Sequence, residues 1–387
     1  MLVRNFFLVL LNCICIVVNA EMVNIGILSN QEVKRLVFSP SSGKYAVYTE
    51  KGKLTEIHLN DVMHISIEKN GVSLKGADID FGEFKQVNII GLDWQNTFKI
   101  RCISPDLKSR TYEDNLFITQ HTYYSYLQLI NNIDIDNYIA GVVESEVGKS
   151  PPEEYFKLQA IICRTYALKN FTRHEADGFQ LCDRVHCQAY HGYPTSKAIH
   201  KAALETKDIV IVDSDINLIN SAFYSNCGGQ TANSEDVWIN PLEYLKSTRD
   251  SFCLHENNAK WKKTITTSEW DNYLKQKGYR ENDSISTSCK YSFTQSSRLK
   301  NYSCGNLTIP LTEIRSSFGL KSAYFSITPI ENNLLMLSGR GFGHGVGLCQ
   351  EGAMKMAKLG YNYAQILHYY YKNVHIVSRT NLPFFKE

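Results

Sequence analysis

The sequence predicts an α+β protein: a small β-rich domain over 21–130, then a mixed helix and strand domain over 131–380. Three observations predict it. Up to about residue 130 the apolar residues fall in short runs rich in Val, Ile, Phe and Thr, broken by Gly, Asn, Asp or Lys. From Asp134 the spacing turns helical. The 387 residues are 43% hydrophobic and 21% charged, ordinary globular usage for a chain long enough to bury a sizeable core.

The elements follow in order. The first twenty residues carry one charge, Arg4, ahead of the apolar run Phe6 to Val18. That run has the length of a signal-peptide core, and Val18-Asn19-Ala20 resembles a cleavage site. Residues 1–20 therefore read as a signal peptide rather than a membrane anchor, and Asn12 is a poor residue before a lipidated Cys13. The expected location is outside the cytoplasm, periplasmic or associated with the cell wall, with no stable transmembrane anchor. Strands are predicted at Met22 to Leu28, Lys44 to Thr49, Leu54 to Leu59, His64 to Glu68, Val87 to Leu92, Phe98 to Ile103 and Leu116 to Gln120. Tyr123 to Ile133 reads as one more.

Asp134 or Asp136 can cap a helix from about Tyr138 to Val147. Pro151-Pro152-Glu153-Glu154 opens a second helix to about Thr172, with Ser150 as its cap. Strands at Ile209 to Val212 and Ala222 to Ser225 are followed by a turn at Gly228-Gly229. The polar segment 255–305 reads as an insertion. Leu334 to Leu337 is a strand, and helices over Leu348 to Leu359 and Tyr363 to Tyr371 close the chain.

With 41 basic against 39 acidic residues, no large basic field exists, which argues against nucleic acid as a partner. Nine cysteines remain beyond Cys13 and Cys15, an odd number, so at least one stays outside any disulfide.

Three features carry candidate chemistry. On a helical wheel Ile139, Val142, Val143 and Val147 share a face, with Glu146 about 20° from Ile139 and Glu144 about 140° away, on the solvent side. A carboxyl among apolar groups resists ionisation, and a carboxylic acid kept protonated near neutral pH can donate a proton and take one back. The structural alternative is a glutamate paired with a cation such as Arg164, or a helix C-terminal residue in a cleft. The second feature is Cys182-Asp183-Arg184-Val185-His186-Cys187, with His174 upstream. It fits a zinc site made by Cys182, Cys187 and one or two of His174, His186 and His191. A Cys182–Cys187 disulfide, which an oxidising compartment favours, and two unrelated thiols are the competing readings.

The third feature is a pair of glycine-rich turns. Gly339 to Gly347 has glycine at every second position and does not fit a dinucleotide fingerprint. His344 sits at its centre, facing a ligand or closing a tight structural crossing. Tyr224 to Thr231 is a second polar turn whose hydroxyls and amides suit sugar hydroxyls.

Taken together, these stretches resemble the SpoIID/LytB family (sporulation stage II protein D and the amidase-enhancer proteins). The resemblance is carried by Tyr138-Ile139-Ala140-Gly141-Val142-Val143-Glu144-Ser145-Glu146, by Pro152 to Ala167, and by Cys187-Gln188-Ala189-Tyr190-His191-Gly192. The Tyr224 to Thr231 turn, Glu235 to Trp238, Tyr244-Leu245, Gly339 to Ala353 and Tyr369 to Tyr371 complete it in order. It implies a peptidoglycan lytic transglycosylase, which cleaves between N-acetylmuramic acid and N-acetylglucosamine without water and leaves a 1,6-anhydro end. The family's catalytic glutamate falls on Glu146. Arg164, Tyr224, Ser225, Gly228, Gly229, Thr231, Arg340, His344 and Gln350 become the candidates for binding glycan. The zinc ligands implied are Cys182, His186, Cys187 and His174, in a structural role. Partners implied are peptidoglycan strands and other cell-wall hydrolases. The runner-up is a non-catalytic wall-binding protein that aids a separate amidase.

There are departures from the family pattern. Val147 stands where Met is usual and Pro151 where Trp is common. Cys227 and Cys349 replace Ser in the two glycine turns, where they would form a disulfide if the turns adjoin.

Overall fold

The computed structural model describes residues 21–69, 71–238, 240–280 and 289–382. The leader read over 1–20 lies outside them. The chain contains both helices and strands, with the strands alone up to Asp134 and helices entering after it, as the α+β reading expects.

The N-terminal part holds twelve strands: β1 (Met22–Ile27), β2 (Arg35–Ser42), β3 (Tyr45–Thr49), β4 (Gly52–Ile57), β5 (Met63–Glu68), β6 (Gly71–Lys75), β7 (Asp80–Phe84), β8 (Gln86–Gly91), β9 (Thr97–Ser104), β10 (Arg110–Glu113), β11 (Asn115–Gln120) and β12 (Leu127–Asp134). β12 alternates perfectly between buried and half-buried residues, as a strand facing one core must. Sequence reasoning missed β2, which contains Pro40, and the short or polar β6, β7 and β10; their pairing partners make them strands, not their composition. One sheet runs β13-β1-β12-β11-β8-β3-β4, where β13 is Leu181–Cys182, and the other runs β10-β9-β2-β5-β6-β7.

Two helices follow. α1 (Ile135–Val147) is capped by Asp134, whose side chain accepts from the Asp136 and Asn137 N–H groups. α2 (Glu153–Lys169) begins after Pro152 and has no side-chain cap, so Ser150 does not cap it; Glu153 and Glu154 supply negative charge in its first turn instead. α1 buries Ile139, Val142 and Val143 completely, each contributing roughly 1.5–3 kcal/mol.

The β layers, α1 and one side of α2 share a single core with α3 (Lys197–Glu205). An aromatic row crosses it: Phe38, Phe98, Tyr112, Tyr190 and Tyr138, with successive ring centroids 5.1–5.9 Å apart. Gly141 is required where this row meets α1, because a Cβ there would fall 2.5 Å from the Tyr190 ring.

The other side of α2 packs in a second core with β14 (Ile209–Val212), β15 (Phe223–Tyr224), α4 (Ser234–Val237) and the C-terminal elements. A third core belongs to β16 (Lys260–Thr266), α5 (Thr267–Gln276), β17 (Asn301–Cys304), β18 (Leu307–Pro310), α6 (Leu311–Ser317), β19 (Phe325–Ile330) and β20 (Leu334–Arg340). The segment read as an insertion over 255–305 thus shares its core with residues up to 337, and a Cys289–Cys304 disulfide ties it. The chain closes with β21 (Leu348–Cys349), α7 (Gln350–Lys358), α8 (Tyr363–Tyr370) and β22 (His375–Ser378). Among the described residues, no helix is long and apolar enough to cross a membrane.

Candidate functional site

Glu146 lies in the last turn of α1, next to Val147, which packs against both the first and the second core. One carboxylate oxygen, Oε1, accepts a hydrogen bond from the Ala189 N–H at 3.1 Å. Burial raises its pKa above the usual carboxylate range, and the Ala189 bond offsets only part of that. The alternative pairing with Arg164 is not made. Arg164 is completely buried and bound to Asp136 at 2.8 Å, and it donates to the carbonyls of Ala203, Thr206 and Ile209. This side chain cross-links α1, α2 and the end of α3, and its place as a glycan ligand is withdrawn.

Glu144 is not a free solvent-side group either. Its Oε2 accepts from the Thr195 and Ser196 N–H groups, both at 2.9 Å, at the start of α3. The helical wheel placed it away from the apolar stripe correctly, but a loop distant in sequence covers that side.

The segment that holds Glu146 continues from the cysteine–histidine cluster. Cys182, Cys187, His186 and His174 place their ligand atoms within 4.8 Å of one another. His186 Nδ1 is 3.9 Å from Cys182 Sγ and 3.8 Å from Cys187 Sγ. His174 Nδ1 binds Asp177 at 2.8 Å, while its buried Nε2 has no protein partner. A histidine held by a carboxylate at one nitrogen, with the other left open among thiols, is the arrangement a metal ligand needs. The donor set fits zinc. Neither thiol is in a disulfide, and His191 lies apart, on an open cleft of about 700 Å³ with Lys108, Arg110 and Tyr193. A recess of about 260 Å³ opens beside this cluster, lined by His121, Tyr126, His174 and His186, and not beside Glu146. Past Cys187, Gln188 donates to the Cys163 carbonyl, and Tyr190 donates to Asn131 at 2.9 Å. These bonds fix the Ala189 N–H that meets Glu146.

The glycine turns do adjoin. Asn226 pairs with Phe342 and Ala232 with Val346, and β15 runs parallel to β21. Gly341, at φ 78°, lies so close to the Asn226 carbonyl that a Cβ would come within 2.5 Å. The polar groups of His344 and Thr231 at this crossing serve the chain itself, while the buried Tyr224 hydroxyl has no hydrogen-bond partner among the described residues. The two ring nitrogens of His344 meet the Phe223 carbonyl (Nε2, 3.0 Å) and the Val346 N–H (Nδ1, 3.1 Å), and burial depresses its pKa to about 4. The neutral ring therefore donates from Nε2 and accepts at Nδ1, a structural role in place of the ligand-facing one. Thr231 is buried and exchanges hydrogen bonds with Thr248, and Tyr224 is buried with its ring against His344. Thr231 and Tyr224 are thus removed from the ligand candidates.

Ser225 accepts from Asn258 at 3.1 Å, while Gly228 and Gly229 turn the chain at φ 67° and 104°. Arg340 stacks its guanidinium 3.8 Å from the Tyr324 ring centroid and donates to the Gln295 carbonyl. Gln350 opens α7 beside Tyr155, which in turn lies near Glu146. Cys227 and Cys349 are not joined: Cys349 Sγ accepts from the Cys227 N–H, and Cys227 Sγ faces Cys253 and Asp250. Sequence reasoning overlooked Asp250, Cys253 and Glu351. Glu351 binds both Asn226 and Asn258. The spacing Asp250-x-x-Cys253 was the available signal for the first two.

Comparison with known proteins agrees with the motifs. Residues 123–212 match the family described as SpoIID, stage II sporulation protein. The chain is 28% identical to stage II sporulation protein D of Bacillus subtilis, over 64% of this chain and 76% of that one. It is also 28% identical to an uncharacterised protein of Brachyspira hyodysenteriae, over 66% of this chain and 70% of that one. An amidase enhancer of Bacillus subtilis is 26% identical, over 62% of this chain but only 40% of its own length. The resemblance to the SpoIID family read from the motifs therefore stands.

Proposed function

We propose that the protein acts on the bacterial cell wall as a peptidoglycan lytic transglycosylase with Glu146 as its acid and base. The observation that carries this reading is the state of Glu146: half-buried at a helix end, pKa raised by burial, one oxygen held by the Ala189 N–H. The protonated carboxyl gives its proton to the bridging oxygen as the bond to the N-acetylmuramic acid anomeric carbon breaks. The carboxylate then takes the proton of the same sugar's 6-hydroxyl as that oxygen bonds to the anomeric carbon. No water is consumed, and one carboxyl suffices where glycosidases commonly use two. The kinship with stage II sporulation protein D supports a wall substrate.

Cys182, Cys187, His186 and His174 would hold zinc, which supplies a structural staple when all its positions are filled by protein. The loop that begins at Cys187 presents Ala189 to Glu146, so the staple would position the catalytic carboxyl. Export to the periplasm or wall and contact with other wall hydrolases complete the proposal. The kinship with an amidase enhancer favours a second reading, in which the protein binds wall and aids an amidase.

One experiment separates the two. The purified chain is incubated with denuded glycan strands and the products are examined by mass spectrometry. Anhydro ends that vanish with Glu146→Gln support the enzyme. Binding to glycan with no anhydro product favours the enhancer.

A further inference from the structure

Beneath the crossing of the glycine turns lies a second cluster, independent of the reaction proposed above. Cys227 Sγ stands 3.2 Å from Cys253 Sγ and 3.2 Å from Asp250 Oδ2. Cys349 Sγ accepts the Cys227 N–H at 3.2 Å. One ligand atom from each of the four residues falls within 4.8 Å of the others, and none of the four is more than 1% exposed. The surroundings are largely apolar: Tyr224, Val346, Leu348 and Tyr370 belong to the same core.

We propose that Cys227, Cys253, Cys349 and Asp250 bind one Zn²⁺ ion as a second, structural metal site. Zinc holds thiolates at about 2.3 Å and carboxylates at about 2.0–2.2 Å, so tetrahedral ligand atoms lie roughly 3.5–3.8 Å apart. The observed separations, 3.2 Å for two pairs and within 4.8 Å for all, bracket that spacing. The carboxylate is already oriented from outside: Tyr370 O–H donates to Oδ2 and Phe252 N–H to Oδ1, both at 2.9 Å. Gly352 keeps this space open, since a Cβ there would fall 2.4 Å from Asp250 Oδ2. A Cys227–Cys253 disulfide is the competing use of two of these thiols. It would leave a third sulfur and a carboxyl converged on the same buried point without a reason. The ligands come from the turn after β15, the loop at 250–253 and the residue before α7, so one ion would tie three segments distant in sequence. With four protein ligands it offers no open position for substrate.

The test is the zinc content of the chain purified without added metal, wild type and Cys182→Ser/Cys187→Ser, combined with alkylation mapped by mass spectrometry. The proposal expects one zinc to remain in the double variant, lost on Cys253→Ser. It also expects Cys227, Cys253 and Cys349 to resist alkylation until a chelator removes that zinc. A folded double variant without zinc overturns it. If the double variant does not fold, the map of the wild type decides. Release of these three thiols together with zinc supports the site. A Cys227–Cys253 disulfide peptide, or thiols indifferent to the chelator, overturns it.

Discussion

The end of α1 and the crossing of the glycine turns both bring polar groups into an apolar setting, but they use them differently. At the end of α1, Glu146 meets one backbone N–H, and burial holds its proton more tightly. At the crossing, His344 has committed both nitrogens to backbone, Thr231 is paired with Thr248, and Arg340 is stacked on Tyr324. Acid–base chemistry needs a proton free to move, whereas a side chain whose polar groups are all engaged by the chain itself holds chain segments together. Arg164 is the extreme of the second kind. The difference teaches that polarity within a motif does not by itself mark a ligand.

The largest effect expected is on Glu146. Glu146→Gln keeps shape and volume but cannot exchange a proton, so the rate of anhydro-end formation should fall by about 10²–10⁴-fold, the usual range for general acid–base catalysis. The melting temperature should be kept. Near-normal activity would refute the mechanism and erase the contrast. Next comes Arg164→Met, which strands Asp136 without its cation; about 3–5 kcal/mol of stability should be lost in urea denaturation. A variant as stable as wild type would return Arg164 to the list of functional candidates.

His344→Ala should cost about 1–3 kcal/mol, because the part-buried Phe223 carbonyl and Val346 N–H lose their partner. The folded fraction should turn over glycan as wild type does; a lowered turnover with unchanged stability would make His344 a site residue after all. Glu144→Gln should cost about 1 kcal/mol or less, through weaker acceptance at the start of α3. Its activity should stay near wild type.

The smallest effect is on pH dependence. A carboxyl whose folded pKa is raised above its unfolded value favours folding fully below the unfolded value and loses that contribution as pH rises through the folded one. Thermal unfolding followed from the ordinary carboxylate range upward should therefore show wild type losing stability relative to Glu146→Gln. Parallel curves would mean that Glu146 titrates normally.

Some of this was legible in order along the chain. The α1 stripe and Asp134 cap are local, spaced by helical period, and Glu146 could be located by counting residues. Cys182, His186 and Cys187 are near neighbours in sequence, so their convergence needs only one short loop. The strands β6, β7 and β10 escaped notice because neighbouring strands, and not their own residues, make them strands. Glu144 was placed on the correct side of its helix, yet its surroundings were misjudged, since Thr195 and Ser196 lie about fifty residues on.

By itself, then, the sequence determined the α+β class, α1 with its carboxyl stripe, the cysteine–histidine cluster and the resemblance to the SpoIID family. Only the tertiary structure decided that Arg164 and His344 are internal braces, that Glu146 meets Ala189, and that Cys227, Cys253, Cys349 and Asp250 converge. Periodicity and close spacing survive in one dimension because a few residues of chain fix them. Burial, ion pairing and ligand convergence depend on which distant segments are brought together, and that depends on the packing of the whole chain.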